Sequence, residues 1–316
     1  MRRVLAVLGM ACFLASGPGA LEAAASQEQI YIKEPHEEGK VTLSFAGDIS
    51  FAEGYANMGY YHAKGDDITK CIDKDVIARM DGADVMMVNN EFTYSDRGKP
   101  LSGKTFTFRA RPETAANLSL LSADIVSIAN NHVYDYGETA LLDTMDTLRQ
   151  YGIPYVGAGR NLEEAKEIVY FRAGDLKIAY VSATQVERSY VYTREATDTQ
   201  AGVLRTYDPA VFLEVIREAK ENSDFVVVYV HWGTEGVSRF EADQQSLGRQ
   251  YIDAGADLVI GDHPHCLQGV EYYKGVPIFY SLGNFWFNSK TRETGLVEAD
   301  VSGDGLLEFR FVPCLQ

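Results

Sequence analysis

The sequence predicts an α/β fold, and three observations predict it. Short apolar runs of strand length recur along the chain. Segments of helical periodicity lie between several of them. The runs repeatedly end in His, Asp, Glu or Asn, as if the carboxyl ends of many strands converged on one polar site.

The strand-like runs are 41–46, 85–88, 125–129, 177–182, 225–230, 258–260 and 278–281. Residues 137–151 place Leu141, Leu142, Met145 and Leu148 on one helical face, and Gly152 follows as a stop. Residues 209–220 do the same with Val211, Phe212, Val215, Ile216 and Ala219, behind Asp208 as a cap. Residues 242–254 end at Gly255. The chain's end differs. There 295–301 and 306–312 alternate apolar and polar residues around Ser302-Gly303-Asp304-Gly305, which predicts a β-hairpin. That hairpin is either an antiparallel edge pair or part of a second sheet. No break divides 41–316, so the expectation is one domain over those residues.

Residues 1–25 read as an export signal. Arg2 and Arg3 precede a short apolar core, and Ala23-Ala24-Ala25 fits a cleavage site. Residues 26–40 read as a linker. The expectation is an exported protein, extracellular or held at the cell envelope. An uncleaved anchor and a lipoprotein at Cys12 are the weaker variants, because the apolar core is short and Gly9-Met10-Ala11-Cys12 is a poor lipidation box. A formal charge of −16 speaks against nucleic acid as a partner and against anionic lipid held by a basic face. Outside the leader stand Cys71, Cys266 and Cys314, an odd set that is no disulfide framework, although one pair could bridge.

The rim of strand ends gathers Asp48, Glu91, Asn131, His132, His231, Glu235, His263 and His265. In His263-Pro264-His265, extended backbone would turn both imidazoles to one side. Two surface histidines in a loop are the plain alternative. His231 follows a continuous apolar strand, which makes it a metal ligand or a satisfied core histidine. Glu235 would bind metal, orient a ligand histidine or carry a proton; a carboxylate at a helix start is the plain alternative. Asn131 offers an amide oxygen, and His132 a proton for a reacting oxygen, with Asp135 fixing its tautomer. Turn chemistry would explain the same residues. Mixed imidazole, carboxylate and amide donors suit one or two divalent ions of the Mn, Fe or Zn kind. Two such ions commonly activate water and clamp an oxyanion. No Gly-x-Ser-x-Gly elbow, Walker A loop or strand-following Gly-x-Gly-x-x-Gly is present.

Six motifs in order make the set specific. They are Ala46-Gly47-Asp48; Asn89-Asn90-Glu91; Ala129-Asn130-Asn131-His132 with Asp135-Tyr136-Gly137; His231-Trp232-Gly233 with Glu235; Gly261-Asp262-His263-Pro264-His265; and Tyr280-Ser281-Leu282-Gly283-Asn284-Phe285. Together they resemble the bacterial CapA, or PgsA-like, poly-γ-glutamate capsule-synthesis family, which is related to the calcineurin-like metallophosphatases. The resemblance runs from Val41 to the C-terminus. It implies a four-layer αββα sandwich of metallophosphatase type with a dinuclear metal site. Asp48 and His265 would hold one ion, and Asn131, His231 and His263 the other. Glu91 would bridge them, and His132 would stand beside the substrate.

The sequence departs from the phosphatase pattern in two places. Ser50 stands where a ligand His is usual, and Glu91 where a bridging Asp is usual. Asp262 replaces the first His of the CapA Gly-His-His-Pro-His pattern. The resemblance implies a metal-dependent hydrolase or transferase role in poly-γ-glutamate synthesis or export, beside membrane capsule-synthase subunits. Two alternatives stand: a secreted metallophosphoesterase acting on a phosphorylated small molecule, and a non-enzymatic polymer-binding accessory of a membrane synthase.

Overall fold

The computed structural model describes Leu5–Ala6, residues 29–288 and residues 290–316. Apart from the backbone of Leu5–Ala6, the expected leader lies outside them. The main strands are β1 (Ile30–Lys33), β2 (Val41–Ile49), β3 (Val85–Asn90), β4 (Ile125–Ser127), β5 (Tyr155–Val156), β6 (Val169–Ala173) and β7 (Leu176–Thr184). They continue as β8 (Phe225–His231), β9 (Leu258–Asp262), β10 (Val270–Tyr273), β11 (Val276–Phe279), β12 (Asn284–Trp286), β13 (Glu293–Ser302) and β14 (Gly305–Leu315).

These strands make two large sheets. One has the order β14-β13-β2-β3-β4-β5, with β12 paired to β2. The other has the order β1-β6-β7-β8-β9-β11-β10, with Leu5–Ala6 beyond β1. The sheets face each other across a core that includes Leu43, Phe45, Val85 and Met87 from the first and Ile178, Phe225, Val227 and Ile260 from the second. Alternate residues of the same strands point outward to helices. Met86 and Val88 pack with Met80 of α1 (Lys74–Asp81) and with Leu141, Met145 and Leu148 of α2 (Gly137–Gln150). Val226, Val228 and Val230 pack with Phe212, Val215 and Ile216 of α3 (Ala210–Glu221) and with Leu247, Tyr251 and Ile252 of α4 (Ala242–Ala254). This is the four-layer αββα sandwich. It explains why the central strands read as unbroken apolar runs: both of their faces are buried.

Register delivers the polar strand ends to one edge. In the first sheet Asp48 pairs in parallel with Asn89, and Asn89 with Ser127. In the second, Thr184 pairs with His231, and His231 with Asp262. The chain then returns to the first sheet, where Asn284 pairs in parallel with Asp48. The expected hairpin forms as β13 and β14, and it is an edge pair: β13 runs antiparallel to β2.

One expectation fails locally. Part of the linker predicted over 26–40 is strand β1, which pairs in parallel with β6. Tyr31 is buried there and stacks on Phe171 at 5.3 Å. Four residues among charged neighbours carry too little periodicity to mark a strand. Cys71, Cys266 and Cys314 are all free thiols, so no pair among them bridges. Among the described residues, no helix is long and apolar enough to cross a membrane.

At Gly47 the first sheet meets the loop before β12. A Cβ there would stand 1.8 Å from the Gly283 carbonyl oxygen, while the adjacent Asp48 N–H donates to that same oxygen at 3.0 Å. Backbone cannot yield as a flexible side chain can. Gly47→Ala is therefore expected to destabilise the protein by about 3 kcal/mol. Urea unfolding checks this as a lowered midpoint with unchanged slope.

Candidate metal centre

The site forms where the carboxyl ends of both sheets meet. Asp48 is the last residue but one of β2, Glu91 directly follows β3, His231 ends β8, and His263 and His265 follow β9. Asn131 and His132 sit in the turn after β4. All seven are buried except His265, whose side chain keeps 15% exposure.

Glu91 is at the centre. Its Oε1 lies 3.4 Å from His231 Nε2 and 3.9 Å from both His265 Nε2 and His132 Nε2. His231 Nε2 also lies 2.8 Å from Asn131 Oδ1 and 3.1 Å from His263 Nδ1. On the other side, His265 Nδ1 is 3.2 Å from Asp48 Oδ2 and 2.8 Å from Asn284 Oδ1. Donor atoms of Glu91, His263 and His265 all lie within 4.8 Å of one another. The contacts thus fall into two groups that share Glu91: Asp48 with His265, and Asn131 with His231 and His263.

The polar bookkeeping of this cluster is incomplete without a cation. Both Glu91 oxygens and Asp48 Oδ2 are buried and accept no hydrogen bond. Orphan carboxylate oxygens facing imidazole nitrogens are a costly arrangement unless a metal completes them. Burial, and then the charges of Asp48 and Asp262, push the Glu91 carboxyl well above its usual range. Burial pulls His231 down to about 3. Burial and the neighbouring imidazoles pull His263 well down. Neutral imidazole is the form that ligates metal, and a cation would restore the charge of Glu91. Asp48 and His265 behave as a pair. Burial opposes both charges, but their mutual attraction holds Asp48 below and His265 above the ordinary value. The donor set therefore fits one or two divalent ions.

A ring of amides fixes these side chains. Asn89 Nδ2 donates to Asp48 Oδ1 at 2.7 Å and lies 3.2 Å from His231 Nδ1. Asn130 Nδ2 donates to Asn89 Oδ1 and to the Asn90 carbonyl, while its Oδ1 accepts from the His132 and Val133 N–H groups. Behind the site, Asp262 Oδ2 accepts a hydrogen bond from the Tyr229 hydroxyl. Asp262 contributes to the surroundings of Asp48, and burial raises its carboxyl well above normal. Ser50 is occupied locally, its Oγ accepting from the Ala52 N–H at 3.2 Å.

His132 belongs to a separate relay. Its Nδ1 lies 2.7 Å from Asp135 Oδ2, which also accepts from the Phe108 N–H at 2.6 Å. Lys104 Nζ donates to Asp135 Oδ1 at 2.7 Å and to the Asn131 carbonyl. Phe108 packs on His132, and Phe287 packs on both Phe108 and His265. Lys104 and Phe108 escaped the sequence reading because their loop carries no periodicity and no strand end points to it.

Two details differ from expectation. The His263-Pro264-His265 segment is not extended. His263 has φ 102° and His265 φ 53°, both in the left-handed region. The imidazoles converge because the backbone turns, at a cost of roughly 1–3 kcal/mol per strained residue. Glu235 is exposed on the loop after β8, beside a cavity that His263 also lines. Its charge reaches Glu91 and His265, but no contact places it among the buried ligands.

Residues 42–289 match the family model described as bacterial capsule synthesis protein PGA_cap. The chain belongs to that family. It is 35% identical over 217 residues to the capsule biosynthesis protein CapA of Bacillus anthracis, covering 66% of this chain and 52% of that protein. It is 35% identical over 228 residues to the PGA biosynthesis protein CapA of Bacillus subtilis, covering 71% and 59%. The matched stretch is thus little more than half the length of either relative. Two solved structures share the fold. A hypothetical protein from Thermus thermophilus has TM-score 0.52 at 15% identity, covering 87% of this chain and 99% of that one. A phosphatase from Mycoplasma pneumoniae has TM-score 0.52 at 12% identity, covering 87% and 94%.

The orphan oxygens of Glu91 make a testable contrast. Glu91→Gln is expected to leave the melting temperature of chelator-treated protein unchanged or higher, because a neutral amide replaces an uncompensated buried carboxyl. The same change should abolish the rise in melting temperature on adding manganese or zinc, a rise worth about 2.7 kcal/mol at a hundredfold excess over Kd. Differential scanning calorimetry with elemental analysis checks both. His231→Ala and His263→Ala should each lower bound metal, and full occupancy in the double variant would refute the site.

Proposed function

We propose that this chain is an exported, metal-binding member of the CapA family that acts in the synthesis or export of poly-γ-glutamate. The reaction we assign to it is metal-assisted hydrolysis or transfer at a phosphate, ester or amide of the polymer or its precursor. The observation that carries the reading is the Glu91 carboxylate, with two orphan oxygens, buried among Asp48, His231, His263 and His265. The names of the two Bacillus relatives support the capsule role. The N-terminal pattern of a basic start, apolar core and small-residue site supports export.

Bound metal would supply Lewis-acid polarisation and an activated water. Asp48, Glu91, Asn131, His231, His263 and His265 would hold it. The remaining chemistry belongs to His132. With Nδ1–H donated to Asp135, the neutral ring presents Nε2 toward the Glu91 side of the site. From there it accepts a proton from a nucleophile or, once protonated, delivers one to a leaving oxygen or nitrogen. Lys104 and the Phe108 N–H keep Asp135 pointed at the ring. Phe108 and Phe287 shield one side of His132 and His265 from water, which strengthens every charge interaction within.

His132→Ala is expected to lower kcat by about a hundredfold to ten-thousandfold while leaving metal content unchanged. Elemental analysis and turnover of γ-glutamyl oligomers and of aryl phosphoesters check this together. Loss of metal with activity in this variant would move His132 into the ligand set. Turnover of phosphoesters alone would favour a phosphoesterase acting on a small molecule.

A further inference from the structure

Beside the metal centre lie two cavities of about 600 and 620 Å³. They share Gln185, Arg188, Tyr207 and Asp243 in their walls, so they form one trough. His263 stands at one end, and Tyr190 and Arg205 wall the other. The trough is electrically polar. Glu187, Glu235 and Glu241 line only the His263 cavity and Arg205 only the far one, while Arg188 and Asp243 stand in the wall that the two share, in a chain whose net charge is −16.

Arg205 is the unusual residue. It is 4% exposed. Its Nη1 donates to the Thr193 carbonyl at 2.8 Å and its Nη2 to the Glu187 carbonyl at 2.6 Å. The rings of Tyr190 and Tyr207 lie 4.1 and 4.9 Å from its guanidinium carbon. Among the described residues, no carboxylate pairs with it. A guanidinium carries five N–H donors, and the two carbonyls take one each from Nη1 and Nη2. A buried cation held only by carbonyls and aromatic faces keeps a large share of its field, and Arg205 lines the trough.

We propose that the Arg188–Arg205 end of this trough is an oxyanion subsite, which holds an anionic group of an elongated substrate while the reacting bond lies at the His263 end. This inference rests on the reading of the His263 end as the reacting centre. A carboxylate or a phosphate satisfies the subsite equally, since both accept paired N–H donors from a guanidinium fork. Arg205 is fixed in place and Arg188 is exposed, so the first sets the anion's position and the second closes over it. The carboxylates at the His263 end exclude the anionic group from that end and give the ligand a direction.

The test is calorimetric titration of the full chain, as purified with its metal, using γ-linked tetraglutamate and pyrophosphate as probes. Wild-type protein should bind at least one of them, more weakly as salt rises. Tetraglutamate alone identifies a carboxylate ligand, pyrophosphate alone a phosphate, and either supports the subsite. Arg188→Gln should weaken binding about tenfold with metal content unchanged. Arg205→Lys should weaken it further, because a point charge cannot replace the fork. Should Arg205→Lys fail to fold, Arg188→Gln decides. Unchanged affinity in Arg188→Gln, or no binding of either probe by wild-type protein, overturns the proposal. Failure of the two ideas is separable through His263→Ala. If that variant keeps its metal while Arg188→Gln still loses the probe, the subsite stands and the metal reading falls. If His263→Ala loses metal while Arg188→Gln binds normally, the reverse holds.

Discussion

The packing of the two sheets with the carboxyl ends of their parallel strands at one edge is the constraint on which the rest depends. Apolar contact between the sheets supplies attraction but little directional information. Direction comes from a few polar ties through the seam. The Tyr229 hydroxyl oxygen, on the second sheet, lies 2.9 Å from the Ala46 carbonyl oxygen of the first while it is engaged with Asp262. The Ser127 and Ser182 hydroxyls meet across the same seam at 2.8 Å. A slip of one residue in either sheet would turn Asp48 or His231 away from the site. The polar cluster is therefore a property of inter-sheet register, not of any one loop.

That arrangement loads the centre of the molecule with cost. Asp48, Glu91 and Asp262 are fully buried carboxyl groups within one neighbourhood, and two left-handed histidines stand beside them. The surrounding amides are spent on fixing direction: Asn89 and Asn130 tie together Asp48, His231 and the turn that carries His132. A site held so rigidly needs little reorganisation when a charge enters it, which is what catalysis or tight metal binding requires.

Much of this was legible in the sequence, for stated physical reasons. Strands buried on both faces are long apolar runs, so β2, β3, β7, β8 and β9 announced themselves, and the polar residues at the ends of all of these but β7 marked the rim. The helix over 242–254 was visible from its stop at Gly255. What the sequence concealed was whatever depends on contacts between distant loops. Lys104 is an ordinary lysine in an aperiodic stretch until its ammonium group is seen on Asp135. Ile30–Lys33 looks like linker until β6 pairs with it. Arg205 follows no motif, and its significance lies in the carboxylate it lacks. The His263-Pro264-His265 spacing pointed to the right convergence through the wrong backbone conformation, because residue spacing alone cannot distinguish a strand from a tight turn.

The pairing of Asn284 with Asp48 sets an order of events during synthesis. Asp48 lies near the start of the described domain and Asn284 near its end, yet they are neighbours in one sheet, and His265 bridges from the second sheet to both. A growing chain cannot close this seam until its last strands have emerged. Until then the acidic and imidazole groups remain dispersed along an open polypeptide, each a poor ligand alone. A metal held between Asp48 and His265 would therefore require both ends of the described domain to be in place.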